Sequence, residues 1–271
     1  MAANLILAVT NRFPGARRWV FAWVFDRLAA MTQDVESWTF MNYGYADPDE
    51  LALLPDLEAR HEPERYCTQL YAHATRCVEL RGRDVVEVSC GRGGGAAYLA
   101  RCRLPGKVVG VDLSAKQIEF CHRVHRLDTL TFLQGDAESL PLADDCADVV
   151  VNIEASCVYE NRGKFFSEVR RILRPNGRFV YADFFQASEV EGVTKQLGDA
   201  GLAILSLEDI TANVAYALKV DHQRRIAALQ LHAPLGLRRL LMAFSGTQGT
   251  IVPQSLASGR LVYLSMLLAP S

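Results

Sequence analysis

Between Val85 and Ala100 the chain reads Val-Val-Glu-Val-Ser-Cys-Gly-Arg-Gly-Gly-Gly-Ala-Ala-Tyr-Leu-Ala: an apolar strand, a turn holding four glycines, and an apolar helix. A strand that passes into a helix through so tight a turn predicts a βα unit of a parallel sheet. Gly91, Gly93, Gly94 and Gly95 permit positive φ and close backbone approach to a ligand, and the helix start is expected to offer free N–H groups. Two carboxylates sharpen the reading. Glu87 lies inside the strand four residues before Gly91, and Asp112 ends the next apolar strand, Val108-Val109-Gly110-Val111-Asp112. An acid about 20 residues beyond such glycines is placed to grip a ribose diol.

The charges discriminate between cofactors. A dinucleotide brings a pyrophosphate to the helix start and disfavours a nearby anion, whereas S-adenosylmethionine brings an ammonium and a sulfonium, for which Glu87 is an asset. The run also reads as Gly91-x-Gly93-x-x-Ala96, a pattern shared with nicotinamide enzymes, so a reductase stays open as an alternative, as does a cofactor-binding module without turnover. The chain resembles the class I S-adenosylmethionine-dependent methyltransferases. Their first motif, acid-x-Gly-x-Gly-x-Gly, is matched by Glu87, Gly91 and Gly93, with Ser89 standing where the family has its first glycine. Asp112-Leu113-Ser114, Gln134-Gly135-Asp136-Ala137-Glu138, Val149 to Glu154 and Arg171 to Gly177 follow in the family's order, and the resemblance covers residues 64 to 208.

The resemblance implies an α/β, Rossmann-like fold with a mostly parallel seven-stranded sheet and helices on both faces, S-adenosylmethionine as cofactor, and no metal. It places Asp112 on the ribose hydroxyls, Leu113 against the adenine, and Asp136 with the Ala137 backbone at the adenine's amino edge. Glu87, Ser89, Gly91, Gly93, Gln117, Asn152 and Ile153 complete the expected cofactor wall.

Alternating patterns agree with that fold. Strands are predicted near 84–89, 107–112, 129–134, 147–152, 178–184, 202–208 and 260–267, and helices over 65–80, 94–103, 114–125, 162–173 and 189–200. The organisation expected is an N-terminal helical segment over 1–63, the cofactor core over 64–210, a helical substrate cap over 211–258 and a closing strand over 259–271. A net charge of -2 argues against nucleic acid as a partner. Seven cysteines without a Cys-x-x-Cys pair read as reduced thiols of a cytoplasmic protein. The apolar runs Leu5 to Val9 and Trp19 to Ala30 are too short for a signal core and a membrane span respectively. A helix over Ala16 to Gln33 would be apolar around most of its circumference, so it is expected to be buried, either on its own core or in a homo-oligomer.

Candidate catalytic residues sit after the fourth strand and in the cap. Asn152-Ile153-Glu154-Ala155-Ser156-Cys157-Val158-Tyr159 resembles the corresponding segment of the phthiotriol and phenolphthiotriol dimycocerosate methyltransferases, and of sterol and teleocidin-type C-methyltransferases, which act on large hydrophobic molecules. In the aromatic segment Phe40 to Ala46, Tyr43 and Tyr45 are candidates to close over the cofactor, a cation that gains free energy against aromatic faces. Glu154, Tyr159 and Asp183 fall at the crevice ends of strands, where no histidine falls, which favours methylation of a prenyl or terpenoid alkene carbon. The alternative is O-methylation of a lipid or polyketide hydroxyl, with Glu154, His222 or His232 as base. Asp183 is followed by Phe184 rather than by a second ligand, so no metal is expected.

Overall fold

The computed structural model describes residues 26, 27, 30, 32, 35–47, 62–232, 238, 241, 242 and 245–271. In chain order the elements are α1 (Arg65–Ala74), β1 (Asp84–Val88), α2 (Gly94–Cys102), β2 (Lys107–Asp112), α3 (Ala115–Val124), β3 (Leu130–Gln134), β4 (Ala147–Ile153), α4 (Arg162–Ile172), β5 (Leu173–Gln186), α5 (Val190–Asp199), β6 (Leu202–Asp209), α6 (Thr211–Val220), α7 (His222–His232), α8 (Ile251–Ala257) and β7 (Leu261–Pro270). The seven strands form one sheet in the order β3-β2-β1-β4-β5-β7-β6. Only β7 runs antiparallel to its neighbours, β5 and β6. The order reverses between β1 and β4, so the crevice beyond their C-terminal ends is where such a sheet binds ligands.

Strand alternation sorts the core into two layers. Val85, Val149, Val151 and Val180 face α1, α2, α6 and α8 together with Phe40, Tyr43 and Tyr45. Val86, Val88, Val150 and Phe179 face α4 and α5. Glu87 belongs by parity to the first layer, a carboxylate among apolar neighbours at the centre of the sheet. The expected α/β fold is the one observed, with helix ends within a residue of the sequence reading in α2 to α5.

Three elements differ. The lead-in helix stops at Ala74 rather than Leu80, because the Arg103 guanidinium takes the carbonyls of Thr75 at 3.0 Å and Val78 at 2.9 Å, which a continuing helix would need for itself. Strand β5 begins five residues early. Leu173 pairs with Ala147 before a bulge brings Arg178 opposite Val149, so the Pro175-Asn176-Gly177 turn is absorbed into the strand. Strand β7 runs on to Pro270, which pairs with Leu202 at the sheet edge, where a missing N–H is tolerated. Most of the apolar Ala16–Gln33 stretch lies outside the described residues. No helix among the described residues is long and apolar enough to cross a membrane.

Candidate active site

The turn after β1 winds through three left-handed residues, Ser89 (φ 59°), Gly91 (φ 53°) and Gly93 (φ 75°). Only Gly91 opens toward the crevice, where a Cβ would meet the Met41 sulfur at 3.6 Å and nothing nearer. The other three glycines serve packing. A Cβ on Gly93 would strike Phe132 and Cys121, on Gly94 the Thr39 carbonyl, and on Gly95 the Tyr71 ring. The expectation of free N–H groups at the helix start is corrected as well. Gly94 donates to the Thr39 carbonyl at 3.2 Å, and the Ala96 N–H holds the Glu87 carboxylate. An anion's place at this helix start is filled from within the protein, which disfavours a pyrophosphate.

Around the turn, three buried side chains keep an acceptor oxygen without a partner: Glu87 Oε2, Gln117 Oε1 and Asn152 Oδ1. Glu87 is 1% exposed, accepts the Tyr71 hydroxyl on Oε1 at 2.5 Å, and is pushed up to about 8 by burial, with the Asp112 charge adding to the effect. Asn152 spends both Nδ2 hydrogens, on the Val88 carbonyl and the Tyr159 hydroxyl, each at 2.9 Å. Gln117 points its Nε2 at the Met41 sulfur, 3.6 Å away. An orphaned buried acceptor costs about 1–3 kcal/mol. Three of them call for a ligand rich in donors, and S-adenosylmethionine supplies an ammonium, two ribose hydroxyls and an adenine amino group. Asp112 is anchored by the N–H groups of Gly91 (2.8 Å) and Ser114 (2.9 Å), one on each oxygen, leaving further lone pairs on both for hydroxyl donors. Burial raises its acid constant. Ser114 in turn donates to Asp26. Leu113 is half-buried beside it and lends its carbonyl to Gln134 at 3.2 Å; Asp136 caps the Glu138 N–H at 3.0 Å, with Ala137 buried between. Ile153 packs into the first core layer.

On the other side of the switch point Glu154 sits just past β4, itself left-handed at φ 53°, with its N–H donated to Ala182 at 2.7 Å. Its Oε2 accepts both the Tyr43 N–H (2.8 Å) and the Tyr263 hydroxyl (3.0 Å). The rings of Tyr43 and Phe184 lie 5.6 Å apart, and those of Phe184 and Tyr263 6.4 Å. Burial, then the Asp183 charge, push Glu154 up to about 8. Asp183 is fully buried and faces no crevice. It accepts Ser156 Oγ (2.7 Å), the Cys157 N–H (3.1 Å) and the Phe184 N–H (2.8 Å), so it fixes the loop that carries Glu154 and Tyr159, while burial lifts it to about 6. Tyr159 reaches back to Ser89, hydroxyl to hydroxyl, at 2.6 Å.

The aromatic segment is clamped from three sides. Glu64 accepts the N–H groups of Thr39 (2.9 Å) and Phe40 (3.0 Å), Arg225 of α7 donates to the carbonyls of Asn42 (3.1 Å) and Tyr43 (2.9 Å), and Arg92 donates to Trp38, Val35 and Thr32. Met41 and the Tyr43 backbone thereby reach the site, but Tyr45 does not. Its ring stacks on His73 at 4.0 Å and its N–H goes to Tyr66, away from the crevice. In the cap, His222 Nδ1 accepts the Gln248 N–H at 3.1 Å, pinning the turn before α8; His232 ends α7 and its side chain lies outside the described residues. Among the described residues no cluster of His, Cys, Asp and Glu is set to hold a metal ion. Tyr71, Met41, Glu64, Arg92 and Arg225 went unread in the sequence. Only Arg92, inside Gly-x-Gly, carried a local signal.

Residues 86–181 match the family described as a methyltransferase domain. A phthiotriol/phenolphthiotriol dimycocerosates methyltransferase of Mycobacterium tuberculosis is 39% identical over 224 residues, 83% of this chain and 82% of the relative. A fatty-acid O-methyltransferase of Mycolicibacterium smegmatis is 37% identical over 199 residues, 73% of this chain and 72% of the relative. Among solved structures, geranyl diphosphate C-methyltransferase from Streptomyces coelicolor A3(2) superposes with a TM-score of 0.67 at 18% identity, covering 94% of this chain and 98% of that one. The cyclase SpnF does so with a TM-score of 0.71, also at 18% identity, over 92% and 94% of the two chains. At such identities these two report the shared fold alone.

Proposed function

The chain belongs to the S-adenosylmethionine-dependent methyltransferases, and on that premise we propose that it methylates a hydroxyl oxygen of a long, hydrophobic, lipid-like acceptor, with Glu154 as general base. The observation that carries the reading is the way Glu154 is held. Both of its donors fall on Oε2, so the carboxyl is fixed in place while Oε1 is left for another partner. A group pushed up to about 8 is matched to taking a proton from a hydroxyl near neutral pH far better than an ordinary surface carboxylate. The names of the two relatives, one for dimycocerosates and one for a fatty acid, support a lipid-like acceptor.

S-adenosylmethionine, when bound, supplies an electrophilic methyl group on a cationic sulfur. The chain's own work is alignment, water exclusion and proton removal. Glu87, Asn152 and Gln117 offer their orphaned acceptors, and Asp112 offers its remaining lone pairs. Tyr43, Phe184 and Tyr263 wall the Glu154 side against water. Glu154 Oε1 receives the acceptor's hydroxyl proton as the oxygen takes the methyl. Ionised Glu154 is favoured whenever a positive charge lies in the crevice, so cofactor occupancy primes the base.

A second reading keeps methylation of an alkene carbon, because the same three rings around Glu154 suit a developing carbocation. Incubation with methyl-13C S-adenosylmethionine and, separately, a long-chain secondary alcohol, a long-chain fatty acid and geranyl diphosphate separates these. The proposal expects label on the alcohol oxygen, by mass spectrometry and NMR. Label on a prenyl carbon alone would replace it with the second reading, and label on the carboxylate alone would remove the need for a base.

A further inference from the structure

Counting hydrogens at the Ser89–Tyr159 contact leaves one over. Asn152 donates to the Tyr159 hydroxyl, and its other Nδ2 hydrogen is spent on Val88. Tyr159 and Ser89 together own two hydroxyl protons but share a single hydrogen bond of 2.6 Å, in which either oxygen serves as donor. Whichever way that bond runs, the pair retains one O–H with no acceptor among its recorded partners. Ser89 is partly accessible, although Val88 and Cys90 on either side of it are buried, so the leftover donor lies at the crevice surface. Two partnerless acceptors sit beside it: Asn152 Oδ1 on the residue that feeds the chain, and Glu87 Oε2 two residues back along β1. Asn152 and Glu87 are 0% and 1% exposed.

One donor flanked by two buried acceptors is the complement of an α-amino acid zwitterion, whose carboxylate accepts and whose ammonium donates. We propose that the hydroxyl pair Ser89–Tyr159 binds the carboxylate at the methionine end of the cofactor, with Ser89 as the contact and Tyr159 as the positioning residue that orients it, while Asn152 Oδ1 and Glu87 Oε2 take the ammonium. This rests on the reading that the crevice binds S-adenosylmethionine. It also accounts for an L-residue in the left-handed conformation at a position where glycine would sit without strain: the side chain is kept for its hydroxyl.

The test compares two ligands by calorimetry on the full chain: S-adenosylhomocysteine, which carries the amino-acid end, and 5′-methylthioadenosine, which lacks it. Ser89→Ala is expected to weaken S-adenosylhomocysteine by about 10- to 100-fold, as loss of a hydrogen bond to a charged group does, and to leave 5′-methylthioadenosine within about twofold. Tyr159→Phe, which keeps a serine proton but frees its direction, should lose less, with the same ligand selectivity. Ser89→Gly separates binding from backbone support, since glycine accepts φ 59° at ease. It should lose S-adenosylhomocysteine affinity as Ser89→Ala does. Recovery of wild-type affinity in Ser89→Gly would overturn the proposal, reducing the hydroxyl to a latch on the turn. Equal loss of both ligands in Ser89→Ala would overturn it too. Failure of the wild-type chain to bind either ligand would instead overturn the cofactor reading beneath it.

Discussion

Replacing Tyr71 by Phe deletes one oxygen and leaves the ring that fills the space over Gly95 and meets Phe40 edge-on at 5.6 Å. The lost hydroxyl is the donor to Glu87 Oε1 at 2.5 Å, and the other Glu87 oxygen has no side-chain donor of its own. Only the Ala96 N–H would remain on a carboxyl that is 1% exposed. A buried acceptor stripped of its partner costs about 1–3 kcal/mol, and no compensating cavity term arises because the volume is kept. In a chain of this size that corresponds to a melting temperature lower by roughly 2–10 °C. Urea unfolding should show the same loss with an unchanged slope. Because a bound ammonium re-partners Glu87, saturating S-adenosylhomocysteine should recover part of the loss, while its affinity falls a few-fold as the carboxyl loses its fixed direction. Gly95→Ala attacks the same bond from the other side, since its Cβ would overlap the Tyr71 ring; the overpacking adds about 1–3 kcal/mol. A Tyr71→Phe protein as stable as wild type and equally tight for the ligand would refute the claim that Glu87 is held ready for the cofactor by this hydroxyl.

Three further outcomes are expected. Glu87 and Glu154 are both pushed up to about 8, so they are neutral in the fold and ionised in the unfolded chain at neutral pH. Their stabilising contribution is complete below the ordinary carboxylate range and is lost as pH climbs through about 8; the ligand-free melting temperature should fall between pH 6 and 9, and the Glu87→Gln, Glu154→Gln double variant should flatten that fall. Arg92→Met keeps a buried stem but removes the donors to Thr32, Val35 and Trp38 and the charge stacked 3.6 Å over Phe120, so limited proteolysis should cut before Thr39 and S-adenosylhomocysteine should dissociate faster by stopped flow. Asp183→Leu removes the anchor of Ser156 and Cys157, and should lower kcat well over tenfold with cofactor affinity held within about threefold by calorimetry.

Strand and helix order was legible because apolar runs alternate with glycine-marked turns, and Glu87 and Asp112 were legible because a charge inside or at the end of such a run has to be explained. What escaped was tertiary. Nothing local shows that Tyr71 packs over Gly95 and hands its hydroxyl to Glu87, or that Glu64 and Arg225 clamp the aromatic segment, since each partner lies in a different element. The glycines misled in an instructive way, for three of the four make room for protein rather than for a ligand. Tyr45 looked equivalent to Tyr43 by spacing, yet the turn at Gly44 (φ 82°) sends it onto His73. Asp183 looked like a crevice acid and is an internal anchor, because the loop after β4 folds back to cover it.

The account turns on Glu154, and single-turnover methyl transfer to a long-chain secondary alcohol, followed against pH in wild type and Glu154→Gln, tests it most directly. The wild-type rate should rise with pH as Glu154 ionises, with a midpoint below about 8 because the bound sulfonium favours the ionised carboxylate. Glu154→Gln preserves an acceptor for Tyr43 and Tyr263 and should be slower by about 10²-fold or more, without that pH dependence and with unchanged S-adenosylhomocysteine affinity. A Glu154→Gln protein that transfers methyl to the alcohol at the wild-type rate, with the wild-type pH profile, would contradict it.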